Sequence, residues 1–329
     1  MIEKLTVGNF KSIKELDIDC RRVNLFIGEP NTGKSNILEA LGLLSWAGRP
    51  IGIPRLSDYI RFHSLQNLFY DDQVDQPVQI NITRGGEKAS LEIKFVNNLF
   101  EMKCQFFKNQ TMTKITHGGM LQAGSHPIDF FSQIHYYQFG TQTTFDEVLS
   151  SYLMPPFGAN IFSVIMGNKK LKDIMASFFK GYGYQVVFKP QEQTFEIQKH
   201  VGDIVISFPL TLVSDTLRRA IFYIIAMESN NNSTLIFEEP EAHTFPYYTK
   251  YIGEKVAADE SNQYFIATHN PYFLDAVLEK AKKDEVAVFV TYVRDYQTKV
   301  KPLSDEQISD IMSQDPFLSL NKLVEEENR

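Results

Sequence analysis

The sequence predicts an α/β fold in which buried strands alternate with helices and present polar residues at one edge of a sheet. The apolar run at residues 23–27 predicts a buried strand, and a helix-like run follows at 36–41 after a short glycine-containing segment. From residue 209 onward the pattern is helix, strand, helix, strand, helix, strand. Within it, residues 233–237 and 263–267 are short apolar runs typical of strands in parallel sheets.

The composition is that of an ordinary soluble protein with ample material for a core. A chain of 329 residues is long enough for about two domains or one large elaborated domain. Its hydrophobic content is 43% and its charged content 22%, with 15 tyrosines and 26 phenylalanines. Cys20 and Cys104 form no C-x-x-C pair, so we expect buried thiols in a reducing compartment rather than a zinc or redox site.

Targeting signals and net charge narrow the classes of function. The N-terminus lacks a basic-then-apolar signal pattern, and the longest strongly apolar run, residues 220–227, is far too short to span a bilayer. We therefore expect a cytoplasmic protein with no membrane partner. The formal net charge of −7 argues against a surface that binds nucleic acid everywhere, but it leaves room for a local basic patch.

The other elements follow from apolar alternation, turn residues and helix stop signals. The first 50 residues predict strand, turn, strand, loop and helix, and the helix ends near Trp46 before Gly48-Arg49-Pro50. Residues 108–127, rich in Thr, Gly and His, predict a loop. Strands are predicted at 78–83, 90–95, 100–107, 184–189, 194–199, 203–208 and 284–293, and helices at 146–152, 169–180 and 212–227.

The segment between the first buried strand and its helix matches a phosphate-binding loop. Gly28-Glu29-Pro30-Asn31-Thr32-Gly33-Lys34-Ser35 fits the pattern G-x-x-x-x-G-K-[ST], in the strand–loop–helix context that the pattern requires. Glycines let the backbone N–H groups turn toward phosphates, the lysine bridges the terminal phosphates, and the serine hydroxyl ligates Mg²⁺. An ordinary glycine-rich turn before a helix is the alternative. The predicted contacts with ATP are Gly28, Asn31, Thr32, Gly33, Lys34, Ser35 and Asn36.

Two adjacent carboxylates complete a candidate hydrolytic site. Glu238 and Glu239 follow the apolar run 233–237, as in a Walker B element. We expect Glu238 to hold Mg²⁺ through water, and Glu239 to polarise the attacking water or accept its proton. A pair of acids on a surface turn is the alternative, but the preceding buried strand and the following Pro240-Glu241-Ala242-His243 argue against it.

Two further motifs occur in a consistent order around this strand. Residues 213–219 open the helix upstream of it, and Ala267-Thr268-His269-Asn270-Pro271 closes the next strand downstream. His269 at a strand end is placed to contact the γ-phosphate and to sense its loss. Taken alone, the second motif is more typical of a helix-capping turn than of a catalytic histidine. The order of the motifs favours the catalytic interpretation, with Lys34, Glu239 and His269 as catalytic residues.

These motifs together resemble a known family. The residues that carry the resemblance are Asn9-Phe10-Lys11-Ser12-Ile13, GEPNTGKSNILEAL at 28–41, SDTLRR at 214–219, LIFEEPEAH at 235–243 and IATHNP at 266–271. The set resembles the ABC-type ATPase heads of the Rad50/SMC/RecF group, and within it the OLD-like AAA family ATPases (the AAA_15/AAA_21 kind) common in bacterial anti-phage systems. The likeness covers residues 1–50 and 205–300 well, and the middle third only in general layout.

The resemblance implies an ABC-type P-loop ATPase with a mixed sheet, an antiparallel β subdomain and a helical signature lobe. It also implies a head-to-tail homodimer that sandwiches two ATP molecules. Ser214 would then touch the γ-phosphate held by the other subunit, Arg219 would be a basic nucleotide contact, and His269 would be the switch histidine. Residues 241–243 would lie near the dimer seam. As a domain division we expect a core at 1–50 and 205–300, an insertion at 51–200 and a tail at 301–329.

The sequence departs from the family pattern at two positions and leaves a third undecided. Thr216 replaces the usual glycine two residues after the signature serine, and its side chain would crowd a phosphate there. Glu238 replaces the usual aspartate of Walker B, which a water-mediated Mg²⁺ contact tolerates. The family also has a Q-loop glutamine, for which Gln66 and Gln138 are both candidates.

The function predicted from the sequence is that of a Mg²⁺-dependent ATPase that acts as a dimeric switch. The sequence does not decide whether oligomers larger than a dimer form. OLD nucleases carry a C-terminal Toprim domain, and no Asp-x-Asp pair follows His269. We therefore expect a separate effector, a nuclease or toxin, in a bacterial defence system. The main alternative is an ATP-gated DNA clamp of the RecF or Rad50 kind, with 169–172 and 280–283 as basic candidates that more simply form solvated helix faces. Intact Glu239 and His269 argue against a non-hydrolysing scaffold, and the short signature argues against a transporter head.

Overall fold

The computed structural model describes residues 1–313 except 50–54, 108, 117, 123–128, 141–144 and 146–149. The strands are β1 (Ile2–Phe10), β2 (Ile13–Asp19), β3 (Val23–Gly28), β4 (Val78–Arg84), β5 (Glu87–Val96), β6 (Leu99–Phe106), β7 (Asn109–Ile115), β8 (Ile134–Tyr137), β9 (Gln185–Lys189), β10 (Thr194–Val201), β11 (Ile204–Pro209), β12 (Thr234–Glu238), β13 (Gln263–Ala267), β14 (Val286–Arg294) and β15 (Gln297–Pro302). The α-helices are α1 (Lys34–Ala47), α2 (Ile161–Gly167), α3 (Lys169–Lys180), α4 (Asp215–Ser229), α5 (Pro246–Ala258), α6 (Pro271–Lys280) and α7 (Asp305–Ser313).

A six-stranded mixed sheet, here called the central sheet, organises the molecule. Its strand order is β15-β14-β3-β13-β12-β8, and all neighbours are parallel except the β14–β15 pair. Every residue of β3 is buried, because the sheet is covered on both faces. Phe26 joins the hydrophobic cluster on one face, whereas Leu25 and Ile27 join the cluster on the other. The continuous apolar runs in the sequence are the consequence of this double burial.

Layers of different kinds cover the two faces of the central sheet. On one face lies α1, followed by a six-stranded antiparallel sheet in the order β2-β1-β4-β5-β6-β7. On the other face lie the helices α4, α5 and α6, with α2, α3 and the three-stranded sheet β11-β10-β9 packed beyond them. This is the predicted α/β architecture with a mixed sheet, an antiparallel β subdomain and a helical lobe.

One predicted loop is in fact a strand. Residues 109–115 form β7, which pairs antiparallel with β6, so the prediction of a loop across 108–127 is wrong for this part. The segment Asn109-Gln-Thr-Met-Thr-Lys-Ile has no apolar alternation strong enough to reveal it. β7 is an edge strand whose side chains are mostly exposed, so backbone pairing rather than burial determines its conformation.

Other boundaries moved by a few residues. The helix predicted at 212–227 begins at Asp215, after a single 3-10 turn at 210–212, and ends at Ser229. Of the helix predicted at 146–152, residues 146–149 lie outside the described residues, and 150–152 are not helical. The third strand predicted near 203–208 is present as β11.

Within the described residues, no helix is long and apolar enough to cross a membrane.

Two of the sheets contain strands from both the predicted core and the predicted insertion. β1 of the predicted core pairs with β4 of the predicted insertion. Conversely, β8 lies within the predicted insertion but pairs with β12 in the central sheet. The polypeptide therefore crosses between layers more than once, and the domain division stays a prediction.

Candidate functional site

The candidate site lies at the carboxyl edge of the parallel strands. Gly28 ends β3, Glu238 ends β12, His269 follows β13 by two residues, and Gln138 follows β8 directly. The register brings these ends level, since Ala267 pairs with both Phe26 of β3 and Glu238 of β12. Loops at this edge of a parallel sheet form the usual ligand site of such folds.

The phosphate loop has a conformation that only glycine permits at two positions. Gly33 has φ 93°, and a Cβ atom there would lie 1.9 Å from Thr298 Oγ1. At Gly28 a Cβ atom would lie 2.3 Å from Thr291 Oγ1. Asn31 also has a positive φ, of 62°. The loop is therefore tightly curled and pressed against the β14–β15 hairpin, which leaves its inner side for a ligand.

Lys34 lies inside this loop. Its side chain is buried, and Nζ donates hydrogen bonds to the carbonyl oxygens of Gly28 at 2.9 Å and Glu29 at 2.8 Å. Burial lowers the pKa of the ammonium to about 8, while the charges of Glu239 and Glu238 oppose that shift. The dense negative charge of a triphosphate at this position would stabilise the charged form of the lysine.

Hydroxyl and amide side chains hold the loop from behind. Thr32 Oγ1 lies 2.7 Å from Thr291 Oγ1 on β14. Asn36 Nδ2 donates to Ser12 Oγ at 2.6 Å, and Ser12 Oγ lies 2.7 Å from Thr298 Oγ1 on β15. The sequence alone does not reveal these two β-hairpin partners, Thr291 and Thr298, because they are almost 260 residues or more from the loop and carry no motif of their own.

A cavity of about 360 Å³ brings the predicted metal ligands together with one of the three predicted catalytic residues, Glu239; Lys34 and His269 do not line it. Ser35, Glu238 and Glu239 all line it, and so do Gln138 and Arg219. Hydroxyl and carboxylate oxygens are the donors that Mg²⁺ prefers, so this set fits the ion. Gln66 is exposed and does not line the cavity. Gln138 does line it, and this position favours Gln138 as the Q-loop glutamine.

The Glu238 carboxylate belongs to a network that the motifs did not predict. Tyr136 donates its hydroxyl to Glu238 Oε2 at 3.1 Å, and Arg61 Nη2 lies 3.5 Å from Oε1. Arg61 Nε also donates to the buried Glu39 on α1 at 2.7 Å, and Lys11 forms an ion pair with the same carboxylate. Lys11 of the Asn-Phe-Lys-Ser motif therefore contacts the second turn of α1 through Glu39.

The side chains of Glu239 and His269 lie next to each other. His269 Nε2 lies 3.3 Å from Glu239 Oε1, and both side chains are partly exposed. Glu239 has φ 44° and donates its backbone N–H to the Ala267 carbonyl at 3.0 Å. Burial and the charge of Lys34 lower the pKa of His269, and Glu239 raises it. The net lowering favours a neutral imidazole at neutral pH.

The signature residues divide between two places. Ser214 is exposed at the N-terminus of α4 and does not line the cavity, whereas Arg219 on the same helix does. The Arg219 guanidinium lies 5.0 Å from the ring centre of Phe139. Thr216 Oγ1 donates to the His243 carbonyl at 2.9 Å, so its hydroxyl is directed toward its own chain.

In the part of the chain that the structure describes, no group of three or more His, Cys, Asp or Glu side chains is arranged to hold a metal. The candidate Mg²⁺ site therefore offers one hydroxyl and one carboxylate, Ser35 and Glu238. Mg²⁺ is commonly bound in this way, by one or two protein ligands together with substrate phosphates and water.

Comparison with known proteins gives matches of three kinds. The family model AAA_15, described as an AAA ATPase domain, matches residues 1–117. The DNA replication and repair protein RecF of Clostridium kluyveri is 32% identical over 97 residues, which are 27% of this chain and 25% of that protein. An uncharacterized protein of Methanocaldococcus jannaschii, MJECL10, is 27% identical over 193 residues, which are 55% of this chain and 87% of that protein.

Among solved structures, the crystal structure of the SmcHead bound to the C-winged helix domain of ScpA has a TM-score of 0.53. It is 16% identical and covers 93% of this chain and 99% of that one, so it is evidence for the fold alone. The chain spans about a quarter of the length of the RecF proteins that it matches. The fold is that of an ABC-type P-loop ATPase, and the family model that matches residues 1–117 describes an ATPase domain.

Proposed function

We propose that this protein binds ATP and hydrolyses it in a Mg²⁺-dependent reaction. The observation that carries the proposal is the convergence of Ser35, Glu238 and Glu239 in one cavity beside the phosphate loop, with His269 in contact with Glu239. Ser35 lies at the start of α1 after β3, whereas Glu238, Glu239 and His269 lie at or just after the ends of β12 and β13. Phosphoryl transfer needs positioning and charge stabilisation, which is what such an arrangement supplies.

Each residue has a distinct role in the proposed reaction. The backbone N–H groups of the loop and Lys34 bind the β- and γ-phosphates. Ser35 and Glu238 would hold Mg²⁺, which when bound neutralises charge on the phosphate oxygens. Glu239 orients the attacking water and accepts its proton, and His269 keeps the Glu239 carboxylate in place. A positioned base of this kind contributes a factor of about 10²–10⁴ in rate.

We further propose that two chains form the complete site. Ser214 occupies the N-cap position of a 15-residue helix, without a capping hydrogen bond from its side chain, and an exposed helix N-terminus attracts phosphate. Because Ser214 does not line its own chain's cavity, it is available for a nucleotide held by another subunit. Leu212 is 73% exposed and Phe245 68% exposed, next to the signature serine and the Glu241–His243 turn respectively. In such a dimer a second subunit would cover these two apolar side chains.

The direct test is Mg²⁺-dependent phosphate release by the purified protein and by Lys34→Ala. We expect hydrolysis by the wild type and loss of both nucleotide binding and hydrolysis in the variant. Lys280→Ala removes a charge from an exposed lysine at the end of α6, and it should leave both properties unchanged. A wild type that binds no ATP, or that never hydrolyses it with Mg²⁺ alone or with a partner, would contradict the proposal.

For the partner, we propose a separately encoded effector, a nuclease or a toxin, in a bacterial anti-phage system. The support for this step is the resemblance of the motifs to OLD-like ATPases of such systems. The test is affinity purification from the native cell with the Glu239→Gln variant and ATP, followed by identification of the bound proteins. A nuclease or toxin that binds with ATP and not with the Lys34→Ala variant is the expected result. Recovery of no effector, with loss of the gene leaving phage sensitivity unchanged, would contradict it.

A DNA clamp is the second candidate, favoured by the similarity to RecF proteins over about 95–97 residues. The basic segment at the start of α3 gives it limited support, because Lys170 is paired with Glu228 at 2.7 Å. Duplex binding that requires ATP and weakens steeply with salt concentration would favour the clamp, since phosphate contacts release counterions. Binding that ATP does not change would argue against it.

A further inference from the structure

Glu241 is a buried carboxyl group between the two loops that carry Glu239 and His269. Its side chain is only 4% exposed. Oε1 accepts a hydrogen bond from the Thr268 hydroxyl, and the carboxyl group also accepts from the backbone N–H groups of Glu241 itself and of His269. Within the described residues, Oε2 has no hydrogen-bond partner. A single carboxyl group therefore contacts the residue before His269 and the backbone of His269.

Burying this group is costly. The pKa of Glu241 is raised to about 7, chiefly by desolvation; the charge of Glu239 also raises it, and the hydrogen bonds from Thr268 and the backbone oppose the rise. A glutamine would avoid burying an ionisable group, and an apolar residue would avoid burying a polar group at all. A buried ionisable group with an unpaired oxygen needs a reason, and its contacts with the His269 loop supply one.

We propose that Glu241 is a positioning residue, which holds the His269 loop at the distance from Glu239 that hydrolysis requires. The Glu239 turn is tied to β13 by one hydrogen bond, from Glu239 N–H to the Ala267 carbonyl at 3.0 Å. Glu241, two residues further along the turn, adds a second connection. Its carboxylate accepts a hydrogen bond from Thr268, the residue that follows Ala267. With both ties in place, His269 Nε2 and Glu239 Oε1 are held 3.3 Å apart. This inference rests on the proposed ATPase function for its consequence, but not for its geometry.

The geometry is tested by hydrogen exchange, which needs no activity. Glu241→Ala should accelerate amide exchange at residues 268–270 at least tenfold relative to the adjacent strand β13. Glu241→Gln, which keeps an acceptor oxygen, should retain most of the protection. Thr249→Val is the matched control, because its buried hydroxyl bonds to Thr244 at 2.8 Å rather than to the His269 loop. Unchanged exchange at 268–270 in Glu241→Ala would overturn the proposal.

The kinetic consequence is tested in the same variants. Glu241→Ala should lower kcat about ten- to a hundredfold with little change in KM for ATP, because misplaced catalytic groups slow the reaction while the phosphate loop is untouched. Thr268→Val should do the same, and the double variant should be no worse than either single one if the two residues act as a unit. Additive losses, or a loss confined to KM, would overturn the proposal. A wild type without ATPase activity refutes the proposed function, whereas the exchange experiment still decides the role of Glu241.

Discussion

Replacing Lys11 by methionine tests how the Asn-Phe-Lys-Ser segment supports the nucleotide site. The Lys11 side chain is 11% exposed; its Nζ contacts the Glu39 carboxylate and donates to the Arg61 carbonyl at 2.6 Å. Glu39 is 1% exposed on the second turn of α1, directly behind the phosphate loop. Methionine keeps much of the volume and removes the charge, so the variant removes both the ion pair with Glu39 and the hydrogen bond to the Arg61 carbonyl.

The magnitude follows from what remains around Glu39. Arg61 still donates to Glu39 through Nε at 2.7 Å, but its side chain is 68% exposed. Breaking a fully buried ion pair costs about 3–5 kcal/mol, and losing one hydrogen bond to a charged group costs about 1.5–3 kcal/mol. Because Arg61 compensates in part, we expect a loss of about 2–3 kcal/mol in the free energy of unfolding.

The assay is urea unfolding at pH 7, with the midpoint and slope measured for each variant. Lys14→Met is the control, since Lys14 is exposed on β2 and should change stability by less than about 0.5 kcal/mol. Glu39→Gln added to Lys11→Met should recover part of the loss, because it removes the unpaired charge. If Lys11→Met is no less stable than Lys14→Met, the assignment of Lys11 as a partner of the buried carboxylate is refuted.

Three further predictions address other parts of the molecule. Gly33→Ala should lose nucleotide affinity, measured by calorimetry, and adding Thr298→Ala should restore it only in part, because removing the 1.9 Å contact leaves the strain of φ 93°. Burial lowers the pKa of His135 to about 3, so below about pH 6.5 the unfolded state binds more protons than the folded state. The stability of the wild type relative to His135→Asn should therefore fall by about 2 kcal/mol between pH 7 and pH 5, measured by urea titration. Thr216→Val removes the hydrogen bond to the His243 carbonyl and should cost about 1 kcal/mol in thermal unfolding, whereas a smaller loss would mean that the bond to its own chain is not formed.

The parts of the site that the sequence predicts are those encoded locally. The phosphate loop and the Glu238-Glu239 pair are each contiguous, and each follows an apolar run long enough to identify a buried strand. Their meeting at one edge follows from the rule that parallel strands present their carboxyl ends together. The structure brings Ser35, Glu238 and Glu239 into one cavity as that rule requires.

The parts that the sequence does not predict depend on contacts between distant segments. β8 is only four residues long, and its aromatic sequence Ile-His-Tyr-Tyr shows neither alternation nor flanking turns, so its place beside β12 is a property of the assembled sheet. Gln138 lines the cavity because it directly follows β8, so the sequence could not distinguish it from Gln66 without that strand. Arg61 and Thr298 carry no motif, and only the folded chain brings them to Glu238 and Gly33.

Nucleotide binding and dimer formation should depend on each other at this site. The most direct measurement is the molar mass of the Glu239→Gln variant by light scattering coupled to size exclusion, with Mg²⁺ and with or without ATP. We expect ATP to convert a monomer of about 38 kDa into a stable dimer, and the addition of Ser214→Arg to abolish the conversion while ATP still binds. If the Glu239→Gln variant binds ATP and keeps the same mass, ATP does not drive dimer formation.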